Sequence, residues 1–148
     1  MTQDRRRGGR FVAGGMIAAL ALLAQSCAKA PPPPASTARL YASDLSGGAR
    51  HCDVPSVTPA AGKDTPVTMT VGNDGGWCGL TVASDGKPFA AGLLTTEPAH
   101  GRVYIHTVGD ATRIDYTPET QFVGGDAFDV ELLPGAARLK VTVTVARP

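Results

Sequence analysis

In the stretch Leu139-Lys140-Val141-Thr142-Val143-Thr144-Val145, every second residue is aliphatic and every residue between them is polar. A side-chain period of two places all the aliphatic residues on one face of an extended strand, whereas a helix would scatter them around its circumference. Val and Thr are also β-branched and pack well on a pleated surface. The same pattern recurs toward the N-terminus. Phe128, Val130 and Leu132 alternate with Asp129 and Glu131, Ile114 and Tyr116 flank Asp115, and Val103 and Ile105 alternate with Tyr104 and His106. Leu80 and Val82 flank Thr81, and Val67, Met69 and Val71 alternate with Thr68 and Thr70.

Between these runs lie Asn73-Asp74-Gly75-Gly76, Ser84-Asp85-Gly86, Gly109-Asp110 and Pro134-Gly135, which tolerate positive φ or preset a turn. Six or seven short strands, each with one apolar face and separated by such turns, predict an all-β, antiparallel, immunoglobulin-like β-sandwich. The segment before them is irregular. Tyr41 to Leu45 is expected as a helical turn, and Val54 to Val57 as an edge strand, where Pro55 is tolerated.

The N-terminus reads as an export signal. Arg5, Arg6, Arg7 and Arg10 form a basic region, and Phe11 to Ala24 form an apolar run too short to span a bilayer comfortably. The run leads to Cys27, the position of the lipidated cysteine in a bacterial lipoprotein signal. Ala24, Gln25 and Ser26 precede it, and Gln25 departs from the usual small residues; an ordinary signal-peptidase cut before Cys27 is the alternative. Pro31 to Pro34 follow, and prolines in series hold a semi-rigid polyproline II spacer. The organisation expected is a signal peptide over residues 1–26, an anchor cysteine and tether over 27–38, an irregular segment over 39–62 and the sandwich over 63–148.

Cleavage removes four of the 14 basic residues and one of the 13 acidic ones, leaving 10 against 12 and a formal charge of −2. A mildly acidic chain without a basic stripe excludes nucleic acid as a partner. Cys52 and Cys78 remain in the exported domain, and an oxidising compartment makes a disulfide between them the expectation. A metal site built on Cys52, Cys78 and His51 is the alternative, for which no second pair of ligands is spaced.

Pro98-Ala99-His100-Gly101-Arg102-Val103, followed by Tyr116-Thr117-Pro118, Phe122, Gly124, Asp126 and Phe128, resembles the P-x-H-G-x-V and Y-x-P-x-x-x-F-x-G-x-D-x-F pattern of bacterial immunoglobulin-like and cadherin-like domains. The resemblance covers about the last fifty residues and implies a sandwich module used for spacing or adhesion, sometimes with calcium between repeats. Only one copy is present, and typical repeats lack the cysteine pair. The residues themselves suggest structural roles. Pro118 ends a strand, Gly124 or Gly125 permits a corner, Tyr116, Phe122 and Phe128 fill the core beneath it, and Asp126 caps that corner through backbone amides; His100 shapes the turn before its own strand. Calcium on Asp126, Asp129 and Glu131 is the sharper alternative, but Asp129 and Glu131 would lie about 6.6 Å apart along a strand and need ligands from elsewhere.

No G-x-S-x-G, H-E-x-x-H or phosphate-cradling glycine motif occurs, and His51, His100 and His106 are dispersed. No catalytic residue, metal or cofactor is therefore expected. Parity places Trp77 opposite Cys78, Leu80 and Val82, either covered by residues 40–58 or free to bind a ligand; Tyr104 and His106 also point outward. These three residues form the candidate binding surface for a protein or glycan. The sequence reads as a non-enzymatic lipoprotein on the outer membrane or the periplasmic face of the cell envelope. The alternatives are a soluble periplasmic or secreted binding protein and a small periplasmic enzyme or enzyme inhibitor.

Overall fold

A computed structural model describes residues 40–148; the signal peptide, Cys27 and the proline tether read from the sequence lie outside this range. After a single helical turn, α1 (Ala42–Leu45), the chain forms eight strands: β1 (Cys52–Asp53), β2 (Asp64–Gly72), β3 (Cys78–Val82), β4 (Ala91–Thr96), β5 (Gly101–Val108), β6 (Ala111–Pro118), β7 (Gly124–Leu133) and β8 (Ala137–Ala146). They build two sheets, a five-stranded one in the order β1-β2-β8-β7-β4 and a three-stranded one in the order β3-β6-β5.

The alternating residues supply the core between the sheets. Val67, Met69 and Val71 of β2, Phe128, Val130 and Leu132 of β7, and Leu139, Val141, Val143 and Val145 of β8 are buried from one side. Cys78, Leu80, Val82, Ile114 and Tyr116 are buried from the other. The stacked Tyr116 and Phe128 rings, with centroids 5.8 Å apart, bridge the two layers.

Three details depart from the sequence expectation. The strands number eight because β4 carries no alternation: its residues, Ala-Gly-Leu-Leu-Thr-Thr, form a strand through their pairing with β7. A Cβ at Gly92 would come within 2.7 Å of Ile105 on β5, so glycine there lets the sheets approach along that side. The edge strand near the N-terminus falls at Cys52–Asp53 rather than at Val54 to Val57. Its position is fixed by pairing with Val71 and Thr70. Finally, β2 and β8 run parallel, with Thr68 beside Thr142 and Thr70 beside Thr144 on the outer face, while the other pairings are antiparallel. A strand with one wet face alternates whichever way its neighbour runs, so periodicity did not disclose the direction.

The two cysteines are bonded, with Cα atoms 5.2 Å apart. Cys52 belongs to the larger sheet and Cys78 to the smaller, so the bridge ties the layers together. Both thiols are thereby removed from the alternative metal site with His51.

Candidate interaction surface

The outer face of the three-stranded sheet carries the sequence-selected residues. Registers of β3 with β6 and β6 with β5 set Gly79, Asp115 and Tyr104 in one row and Thr81, Arg113 and His106 in the next. Strand β6 is buried from Thr112 to Tyr116 without a break. A strand buried on both faces has a second cover, and here residues 40–48 provide it.

Trp77 anchors that cover. Its Nε1 donates to the Ser46 carbonyl at 3.0 Å, its backbone bridges with Gly48, and the Ala49 amide donates to its carbonyl at 2.8 Å. Ideal Cβ atoms at Gly47 and Gly48 would stand 3.4 and 3.6 Å from the indole, so the two glycines lie against the ring. The Arg113 guanidinium stands 4.1 Å from the ring centroid and donates through Nη1 to the Asp44 carbonyl. Trp77 is therefore half-buried outside the core and covered by the N-terminal segment, one of the two arrangements that parity allowed.

Beneath this strap lies a charge cluster that the sequence reading did not single out. Arg113 Nε and Nη2 donate to Asp115 Oδ2 at 3.1 and 2.9 Å, and His106 Nε2 lies 3.0 Å from the same oxygen. Oδ1 sits 2.9 Å from Arg113 Nε without a well-directed hydrogen bond, and it faces Gly79, where a Cβ would approach within 2.7 Å. Arg113 and Asp115 are both at least nine-tenths buried, so their pairing is what makes burial of the charges tolerable. Parity places both residues outward; their burial depends on the strap, which leaves no periodic signal. Tyr104 lies beside His106 with ring centroids 4.6 Å apart and is 65% exposed. Tyr104 is thus the freely accessible ring of the sequence-selected trio, His106 is held by Asp115, and Trp77 is covered.

The residues of the corner motif converge on one carboxylate. Asp126 points inward, in line with Phe128, and accepts from the Tyr116 hydroxyl at 2.8 Å and from the amides of Ala99, His100 and Ala127, each at 2.9 Å. Asp129 and Glu131 face the other way, and Asp129 pairs with Lys140 at 3.2 Å, so the strand separates the three acids considered as calcium ligands. Gly101 passes so close to Tyr116 that a Cβ would stand 2.3 Å from the ring. The His100 ring stacks on Phe122 at 4.1 Å, Pro118 is the last residue of β6, and Gly124, with φ 148°, opens β7. Among the described residues, no three His, Cys, Asp or Glu side chains are placed to hold a metal ion.

Burial pushes the Asp126 carboxyl up, but the Tyr116 hydroxyl and the three amides outweigh it and hold the group below its ordinary range. Burial first, then the bond to Asp126, pushes the Tyr116 phenol well above its ordinary value. The signs give stability a limit on each side. Asp126 stabilises above the ordinary carboxylate range, and this contribution is lost as pH falls below about 4; that of Tyr116 is lost as pH rises above about 10. In Asp126→Asn the acid limb of a plot of urea midpoint against pH should flatten and stability at neutral pH should fall by about 1–3 kcal/mol, since an amide cannot accept all four bonds. An acid limb as steep as that of the unsubstituted protein would remove Asp126 from this role.

No protein-family model matches this chain, and no curated protein matches it in sequence.

Proposed function

We propose that this chain is an exported, lipid-anchored cell-envelope protein that displays one immunoglobulin-like β-sandwich as a non-enzymatic structural or binding module. The observation that carries the reading is the Cys52–Cys78 bridge between the two sheets. Disulfides persist in oxidising compartments, and this one follows a basic run, an apolar run and Cys27 in the order of a lipoprotein signal. The convergence of Tyr116, His100 and Ala99 on Asp126 supports the immunoglobulin-like resemblance, because the corner residues act as one bonded unit. Proline-rich residues 31–34 between Cys27 and the sandwich suit a spacer that holds the module clear of head groups.

Gln25, which departs from the lipoprotein pattern, favours a second reading, a soluble periplasmic or secreted binding protein released by an ordinary peptidase. Intact mass of the mature N-terminus separates the two. The expected result is a chain that begins at an acylated Cys27 and partitions into detergent, since each buried methylene adds about 0.8 kcal/mol to membrane affinity. Cys27→Ser should release it to the aqueous phase. A wild-type chain with an unmodified, water-soluble N-terminus would overturn the anchor.

A further inference from the structure

An open groove of about 550 Å³ is lined by Arg102, Arg147, Thr117, Thr120, Gln121 and Phe122 among others. Its size falls in the range of small-ligand sites. The two arginines reach it from different sheets, Arg102 from β5 and Arg147 from the end of β8. Among the described residues neither guanidinium has an ion-pair partner, whereas Arg113 and Arg138 are both paired with aspartates. Asp74 also borders the groove, but its two oxygens accept from the amides of Arg50 and Gly76. Those bonds leave the carboxylate charged, so the side chains of the lining carry two cations against one anion.

The turn that forms part of the groove wall is tied down before any ligand arrives. Asn73 Nδ2 donates to the carbonyls of Glu119 and Phe122 at 2.7 and 2.9 Å, and the Phe122 amide donates to the Glu119 carbonyl at 3.1 Å. These bonds fix the turn from the inside and hold Gln121 at φ 66°, a left-handed conformation that costs a non-glycine residue energy. A turn pinned in this way presents Thr120 and Gln121 in one geometry, which lowers the ordering cost of binding.

We propose that this groove binds a carboxylate-bearing saccharide. The chemistry follows from the lining. Two unpaired guanidinium groups call for an anion and can grip a carboxylate through paired N–H donors. Hydroxyl and amide side chains at Thr117, Thr120 and Gln121 suit a ligand rich in hydroxyls, and half-buried Phe122 with exposed Val123 supplies an apolar margin for a sugar ring. An acidic peptide shares the charge, and arginine clusters do take acidic motifs, but backbone pairing would need a strand edge; this groove is formed largely by turns and strand ends, and its hydroxyl and amide side chains favour the saccharide. The proposal is independent of the lipid anchor and of the Trp77 surface.

Calorimetric titration of the purified full-length mature chain tests it, with trigalacturonate and a hyaluronan tetrasaccharide as acidic probes, maltotriose as the neutral probe and pentaglutamate as the peptide probe. At least one acidic saccharide should bind, maltotriose should bind about tenfold or more weakly, and added salt should weaken the acidic interaction. R102Q and R147Q should each lower that affinity by about tenfold while leaving the thermal midpoint within a degree or so, since both are exposed and unpaired. Cys27→Ser should bind as the parent does. Failure of both acidic saccharides at millimolar concentration, equal binding of maltotriose, tighter binding of pentaglutamate, or affinity untouched by both arginine substitutions would each overturn the proposal.

Discussion

Phe128→Ala should destabilise the domain by about 3–5 kcal/mol, enough to leave much of it unfolded if its stability is at the low end for small domains. The side chain is fully buried on β7, flanked by the inward residues Asp126 and Val130 and stacked with Tyr116 across the sheets. Removing it opens a cavity under the corner, where Asp126 holds the Ala99–His100 turn and leaves little freedom to collapse. Trp77→Ala is the informative partner. The indole lies outside the sandwich, so its loss deletes the bond to Ser46, the Arg113 stacking and the support beneath Gly47 and Gly48, at an expected cost of about 1–2 kcal/mol. The sandwich should stay folded while residues 40–48 become susceptible to proteolysis. Urea midpoints and limited digestion of both variants check this. If Trp77→Ala unfolds the whole domain as badly as Phe128→Ala, the strap and the core are one cooperative unit.

The difference between these two residues also shows what the sequence could disclose. Parity along β7 and β8 gave the inward set correctly because one face of each strand is wet, so the chain had to alternate. β4 left no such trace: its exposed Leu93 and half-buried Leu94 are adjacent, and pairing with β7 makes the strand. The bonds to Asp126 were foreseeable only in part: a short acid is suited to capping its own corner, as the Ala127 amide shows, but the other two amides come from Ala99 and His100, on the turn before β5. The corresponding hydroxyl came from Tyr116, ten residues earlier. The buried Arg113–Asp115 pair was not foreseeable, because ordinary outward charges become buried only when residues 40–48 return over them. The Arg102–Arg147 groove is hidden for a related reason: its arginines lie 45 positions apart and meet only through the sheet order. Pairing of Cys52 with Cys78 was legible because, of the three cysteines, Cys27 was read as the anchor position, which leaves one intramolecular pair.

Reduction of that bridge should lower stability by about 3 kcal/mol, and the thermal midpoint on the order of 10 °C. Most of the loss should come from the unfolded chain, which regains the freedom of a loop closed over a separation of 26 residues. The folded state has less to lose. Cys78 is fully buried between Thr70 and Tyr116, where a thiol packs as a small apolar side chain, whereas Cys52 is exposed on a two-residue strand. Reduction should therefore loosen β1 and the bond from the Gly72 amide to the His51 carbonyl before it disturbs β3. Hydrogen exchange can resolve that order, with Gly72 exchanging faster in reductant while Leu80 and Ile114 stay protected. Cys52→Ser with Cys78→Ala should reproduce the shift without reductant and make the midpoint insensitive to it. Free thiols in protein extracted without reductant would defeat the prediction, as would a thermal midpoint unmoved by reduction, because then the apolar core between the sheets holds them together without the bridge.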